Sequence, residues 1–409
     1  MTDALTLTGR FAPFEASLDH TRAEREELYK WFHQHPELAL EEFQTSARIG
    51  EELADLGVEV IPVGITGKVG VLRNGDGPTV CFRADFDALP ITEDTGLEYS
   101  ADPALSLFHA CGHDMHTAAL LGATKLLAEH KDAWSGTFIA LFQPAEENGA
   151  GAQDMADNGL AEKVPTPEVV LGQHVGPMLP NYGLGALSGP ICATCVQTKI
   201  TIHGTGAHGS MPEKGVDPVV IAAHVITRLQ TIVARELAPQ EMGVVTVGAI
   251  HAGDSPNTIP ATAELSVSTR AFTTAVSDQL NEAIRRITRA ECAAAGAPEP
   301  TFTHLGGAPE FHNDEATTET VMAAFREQFG DAVGDFGRLS GSEDFPTIAN
   351  AFGAPYFYWF VGSSADIETA PSNHSPHFAP DLQPTLDQAT RAIIVSASPW
   401  LMGATPGKN

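Results

Sequence analysis

The stretch FHACGHDMHTAALLGATKLLAEH, residues 108–130, changes character part-way along. Its first nine residues hold three histidines, a cysteine and an aspartate. The remainder, rich in alanine and leucine, predicts a helix of about four turns, with Asp114 placed to cap its start. Apolar runs ending in polar residues flank it: TVCFRADFD (79–87) before, GTFIALFQPAEE (136–147) and EVVLGQHV (168–175) after. These read as buried strands. Strands alternating with a helix imply an α/β sheet, and in such sheets ligands bind beyond the carboxyl ends of the strands. The polar residues of all three runs fall there.

Working outward, residues 21–56 have helical periodicity, with Leu28, Trp31 and Phe32 on one face, a break at Pro36, and a second amphipathic run through Phe43, Ile49 and Leu53. From about residue 191 the pattern changes. Val196, Thr198, Ile200 and Ile202 alternate with polar residues, as in a half-solvated antiparallel strand. A helix over 218–236, two more alternating runs (VVTVGAI and AELSVSTRAF) and a helix over 275–295 complete a self-contained β-α-β-β-α unit. Residues 191–308 are thus expected to form a second, smaller α+β domain inserted into the first, between its segments 1–190 and 309–409. After the insertion, GSEDF and YFYWFVG lead to a last helix near 385–397.

Asp and Glu outnumber Lys and Arg by 52 to 23 among 409 residues, a formal charge of -29 without a basic stripe, which disfavours nucleic acid and anionic lipid as partners. No run approaches the roughly 18 apolar residues of a membrane span, and the start lacks a signal-peptide pattern. A cytoplasmic location is expected. The five cysteines, at 81, 111, 192, 195 and 292, do not form a disulfide framework.

A hydrolytic metal site needs ligands fixed at strand ends and a nearby base that is not itself consumed as a ligand. The candidates are Cys111 and His113 before the helix, Glu146 and Glu147 after a strand and a proline, His174 in the third strand, and His374 in the loop NHSPHF. Adjacent glutamates diverge, so one can bind metal while the other moves a proton. The rival use of the same residues is a thiol hydrolase with Cys111 as nucleophile and His113 as base, which leaves Glu147, His174 and His374 without a task. A serine hydrolase lacks its G-x-S-x-G elbow.

The blocks RADFDALP (83–90), HACGHDMHT (109–117), QPAEENGAG (143–151), GQHV (172–175), GTGAHGSMP (204–212), NTIP (257–260), GSEDF (341–345) and HSPHF (374–378) are in the order found in a known family. They resemble the metal-dependent amidohydrolases that include bacterial aminoacylases, hippurate hydrolases and plant auxin-conjugate hydrolases. The resemblance implies a metallopeptidase-like catalytic domain interrupted by a lid domain that also forms a homodimer, and two divalent ions, zinc or manganese, per subunit. It makes Cys111, His113, Glu147, His174 and His374 the metal ligands and Glu146 the general base and acid. His208 would reach into a partner subunit's site and polarise the scissile carbonyl. Asn257 and Arg270 would clamp the substrate, Arg270 through the amino-acid carboxylate. Where the wider family has a histidine two residues before an aspartate, this chain has Asp85 before Asp87, and Asp87 could orient a ligand imidazole.

The implied activity is cleavage of N-acyl-L-amino acids to a carboxylic acid and a free amino acid. Residues 22–42 and the RADFDALPITE block resemble most the bacterial N-acyl-glutamine aminoacylases. Alternatives are a dipeptidase or carboxypeptidase of the same family, or a non-catalytic binding protein on the same scaffold. His33 and His35 are expected to cap or pack, His109 and His116 to lie behind the ligands or in solvent, His377 to yield to His374, and Cys192 and Cys195 to be ordinary strand residues.

Overall fold

A computed structural model describes residues 7–403. The chain divides into two compact units. One comprises the chain up to Gly189, His312–Gly337 and the chain from Asp344 onward; the other comprises Pro190–Phe311 and Arg338–Glu343.

The first unit is built on an eight-stranded mixed sheet. In spatial order its strands are Glu59–Pro62, Lys68–Asn74, Gly136–Gln143, Thr79–Asp85, Val169–Gly176, Tyr356–Gly362, Leu184–Ala186 and Val333–Asp335. The four central strands, Gly136–Gln143 through Tyr356–Gly362, run parallel to one another. Their sequences are almost continuously apolar because helices cover both faces of a parallel sheet. All seven residues of Tyr356–Gly362 are buried. Trp359 packs edge-on against Phe82 and Phe325 and stacks with Phe357.

The helix predicted from the opening stretch is His113–Glu129, and it packs with Arg22–Gln34 and with Leu382–Leu401. Its N-cap is Gly112, not Asp114. The Asp114 carboxylate sits inside the first turn, where it accepts the Met115 N–H and holds His33. The second amphipathic helix is Phe43–Asp55, but its buried face is Thr45, Ser46, Ile49 and Leu53. Phe43 lies off that face, 61% exposed.

The second unit is a four-stranded antiparallel sheet in the order Gly243–His251, Thr262–Ala271, Thr194–His203 and Thr301–Ala308. The strand Thr301–Ala308 was not evident in the sequence. It carries a register shift between His304 and Gly306, and Gly306 and Gly307 have positive φ, so its side-chain alternation is broken. One sheet face, with Ile200, Ile202, Leu265 and Val267, joins Ile221 and Val225 of helix Pro218–Leu229 and Leu280, Ile284 and Ile287 of helix Thr274–Ala294 in one core. The helix expected over 218–236 is interrupted at Gln230, after which Thr231–Arg235 forms a separate short helix. Arg338–Glu343 belongs here rather than to the unit that holds most of 309–409: Leu339 donates its N–H to the Ile191 carbonyl at 2.8 Å, and Ala193 donates to Gly341 at 2.9 Å.

No helix among the described residues is long and apolar enough to cross a membrane. The five cysteines are free and buried.

His33 and His35 do pack. His35 stacks on Trp31, while His33 is buried between Asp114 (2.7 Å) and Glu93 (3.2 Å). Burial disfavours the imidazolium, but the hydrogen bonds to those two carboxylates outweigh it and raise the His33 pKa to about 9. A raised folded-state pKa means the stabilisation is complete below about 6.5 and is lost as pH rises through about 9. The penalty of His33→Gln, read from urea unfolding midpoints, should therefore be about 3 kcal/mol larger at pH 6 than at pH 10.

Candidate metal centre

The carboxyl ends of three adjacent parallel strands bring the chemistry of the first unit together. Thr79–Asp85 delivers Asp85 and, two residues on, Asp87. Gly136–Gln143 leads through Pro144 and Ala145 to Glu146 and Glu147. Val169–Gly176 carries His174 near its end. Cys111 and His113 enter from the side at the helix start, where Gly112 has φ 86° and a Cβ would come within 2.6 Å of Val175. Only glycine fits both the backbone and the space. His374 is brought in by a loop whose backbone is tied to Ala110, the His374 N–H donating to its carbonyl at 2.8 Å.

Among the described residues the ligand atoms form several overlapping groups, two of which share Cys111. Within the first, Cys111, His113 and His174 lie within 4.8 Å of one another; within the second, Cys111, Glu147 and His374 do. Cys111 belongs to both. The hydrogen bonds around each imidazole settle which nitrogen faces the centre. His113 donates from Nδ1 to Asp87 (3.0 Å to the carbonyl, 3.1 Å to Oδ1), and its Nε2 is buried without a partner. His174 donates from Nδ1 to the Val175 carbonyl at 2.8 Å, leaving Nε2 3.4 Å from Cys111 Sγ. Glu147 Oε1 is also buried and unpartnered, and Oε2 lies 3.4 Å from His374 Nε2. Orphaned lone pairs converging beside a thiol are what a soft-to-borderline divalent ion would satisfy, so the residues fit a pair of such ions.

The electrostatics are mixed: against burial, the carboxylates Asp85 and Asp87 hold His113 well above the usual imidazole range, and the hydrogen bond to Glu147 raises His374, so both must shed a proton to ligate. Burial, reinforced by neighbouring His116, pushes His174 down to about 3, so its imidazole is neutral and ready to ligate. Burial, with the Glu147 charge beside it, pushes the Cys111 thiol up to about 12. A thiol held that high is not a nucleophile at neutral pH, and only a cation brought to it would make the thiolate. This weighs against the thiol-hydrolase alternative. Asp85 Oδ2, Glu146 Oε2 and Glu147 Oε1 stand 3.7–3.9 Å from His113 Nε2, giving a concentration of negative charge suited to divalent cations.

Some of the surroundings were not evident in the sequence. His116 is buried; its Nε2 accepts the Val175 N–H at 2.9 Å and its Nδ1 donates to Asp85 at 2.5 Å. Asp85 also receives Arg83 at 2.6 Å, and Arg83 reaches Gln143 and Asp344. The signal was present in part: Arg83 and Asp85 are two apart on a strand and so share a face. Asn373 spans the Cys111 and Val175 carbonyls. Asp87 holds His113 as expected, and its other oxygen accepts the Glu147 backbone N–H at 3.0 Å. His109 is buried with both ring nitrogens unpartnered, and His377 is exposed and bonded to the Asp94 carbonyl.

In the second unit, His208 and Asn257 lie on neighbouring segments, because Ala207–His208 pairs with Thr258–Ile259. The His208 Nδ1 accepts the Ser210 N–H at 3.1 Å, which puts its ring proton on Nε2. Asn257 Oδ1 accepts from Ser255 and Thr258. Arg270 is half-buried on the strand Thr262–Ala271 and donates to Ser342 Oγ at 2.6 Å.

A family model described as Peptidase family M20/M25/M40 matches residues 81–395. The chain belongs to this family. It is 36% identical over 358 residues to an N-acetyl-L-cysteine deacetylase of Bacillus subtilis, covering 87% of this chain and 83% of that one. It is 35% identical over 328 residues to a hippurate hydrolase of Campylobacter jejuni, covering 79% and 84%, and 33% identical to Thermostable carboxypeptidase 1 of Saccharolobus solfataricus, covering 87% and 90%. Among solved structures, the YXEP protein of Bacillus subtilis, a dinuclear metal-binding peptidase of the M20 family, superimposes with a TM-score of 0.78 at 28% identity, covering 93% of this chain and 98% of that one. This M20 protein is a metal-dependent amide hydrolase.

Cys111→Ala should lower the bound-metal content at both positions, whereas His374→Ala should lower it at one. Elemental analysis of the purified variants beside the parent would check this, and parent-like content in Cys111→Ala would contradict the shared position.

Proposed function

We propose that the chain hydrolyses N-acyl-L-amino acids to a carboxylic acid and a free amino acid. The observation that carries this reading is the sharing of Cys111 between two ligand groups, with Glu146 beside them; Glu146 also lies within reach of His113 and Glu147, and its role as base rests on the divergence of adjacent glutamates. On this reading Cys111, His113 and His174 hold one ion, and Cys111, Glu147 and His374 hold the other. Zinc and manganese both suit a set of one thiolate, three imidazoles and one carboxylate. When bound, the ions supply electrophilic activation of the amide carbonyl and acidify water.

The chain's own residues do the rest. The Glu146 carboxylate takes a proton from the attacking water and returns it to the departing amide nitrogen, so that it serves as base and then as acid. His208, with its proton on Nε2, donates a hydrogen bond to the developing oxyanion from a partner copy of the chain. Arg270 pairs with the α-carboxylate of the amino acid, a contact suited to a planar guanidinium. The Asn257 oxygen is already engaged, so the group offers N–H donors to the substrate.

Similar proteins named for N-acetyl-L-cysteine, IAA-amino acids and hippurate support an N-acylated amino acid as the substrate class. An N-acyl-glutamine is the specific substrate proposed here. A second reading, carboxypeptidase action on peptides, is favoured by the likeness to Thermostable carboxypeptidase 1.

Hydrolysis of a panel of N-acetyl, N-benzoyl and longer-chain N-acyl amino acids, with dipeptides alongside, separates the two readings. Activity should vanish on chelation and return with zinc or manganese; activity indifferent to chelation would contradict the proposal, and a preference for the dipeptides would favour the second reading. Glu146→Gln should keep its metal and lose turnover by about 10²–10⁴-fold. Mixing Glu146→Gln with His208→Ala subunits should restore part of the activity, and no recovery after demonstrated subunit exchange would remove the cross-subunit role of His208.

A further inference from the structure

Glu42 occupies the N-cap position of the helix Phe43–Asp55, yet its side chain does not cap that helix. It is fully buried. One oxygen, Oε1, accepts two backbone N–H groups at 2.9 Å, those of Leu40 and Ala145. The other, Oε2, accepts the Thr66 hydroxyl at 2.7 Å. Both residues that donate to Oε1 are left-handed without being glycine: Leu40 has φ 64° and Ala145 has φ 49°. Such residues are strained and persist where the surroundings over-determine them.

Ala145 directly precedes Glu146. Its carbonyl is held as well, accepting N–H groups from Ala150 (3.2 Å) and Gly151 (3.0 Å). On the far side of Glu146, the Glu147 N–H is taken by Asp87 at 3.0 Å. The backbone on each side of Glu146 is thus gripped by a buried carboxylate, Glu42 before it and Asp87 after it. Asp87 also holds His113. The Glu42 side chain bonds instead to Leu40, Ala145 and Thr66, none of them a candidate ligand.

We propose that Glu42 is a positioning residue for Glu146: by pinning the left-handed Ala145, its carboxylate sets the direction in which the Glu146 side chain leaves the backbone. This inference rests on the reading of Glu146 as base and acid. What matters is the reach of the acceptor oxygen rather than its charge, and two variants separate these. Glu42→Gln keeps an oxygen at the same distance and can turn its amide towards Thr66, whose hydroxyl also accepts. Glu42→Asp keeps the charge and the ability to cap the helix but is one methylene too short to reach Ala145.

The measurement is kcat and KM for an N-acyl amino acid with metal-loaded enzyme, beside the metal content of each variant. Glu42→Gln should stay within about threefold of the parent kcat, while Glu42→Asp should lose at least about tenfold in kcat, with KM within about twofold and full metal content. A parent-like kcat for Glu42→Asp, or a Glu42→Gln variant that keeps its metal and is as slow as Glu42→Asp, would overturn the proposal. So would a loss in Glu42→Asp that merely follows lost metal. If Glu42→Asp does not fold, Glu42→Gln decides alone: near-parental kcat supports positioning by reach, and a tenfold loss at full metal content contradicts it. Failure of the underlying reading has a different signature, because Glu146→Gln would then retain turnover whatever the Glu42 variants do.

Discussion

A buried ring nitrogen without a hydrogen-bond partner is a cost that folding alone does not recover, and His113 Nε2, with oxygens of Asp85, Glu146 and Glu147 3.7–3.9 Å away, is such a group. Its orientation is not accidental, because Asp87 holds the opposite nitrogen. Glu147 Oε1 is a second orphan, and Asp87 also takes the Glu147 backbone N–H. One aspartate, two residues past the end of a central strand, therefore fixes two unsatisfied groups in neighbouring positions beside Cys111. Much of the first unit can be understood as the support for that arrangement. The parallel strands supply three backbones ending at one level, and helix His113–Glu129 begins where those backbones end.

Around the orphaned groups, several buried charges have an opposite. Arg83 lies among Asp85, Gln143 and Asp344, so the carboxylate that holds His116 is itself paired with a guanidinium. Asp85 in turn holds His116, and His116 holds the Val175 N–H next to His174. A run of hydrogen bonds thus joins the strand that carries Asp85 to the strand that carries His174. Breaking one member would leave a buried charge uncompensated, which is costlier than the loss of a single surface bond.

How much of this was legible in the sequence depended on whether the signal was local. The strands Thr79–Asp85, Gly136–Gln143 and Val169–Gly176 announced themselves as short apolar runs, and the cluster of Cys111 and His113 at a helix start is a local pattern too. Asp114 as a cap was wrong for a non-local reason: its carboxylate is engaged by His33, 81 positions away, while Gly112 makes the turn. Glu42 was not evident in the sequence for a like reason: its partner Ala145 is 103 positions on. The strand Thr301–Ala308 was hidden because a register shift and two glycines near its end break the alternation of side chains that would have marked it. His116 was left between solvent and support because nothing adjacent to it in sequence reveals that Asp85 and Val175 close over it.

The central claim is that Cys111 stands between two ions. Anomalous diffraction from crystals of the metal-loaded protein, collected either side of the metal absorption edge, tests it most directly. The account predicts two anomalous peaks, both within about 2.5 Å of Cys111 Sγ, one beside His113 and His174 and the other beside Glu147 and His374. A single peak, or two peaks of which only one touches the sulfur, would contradict it.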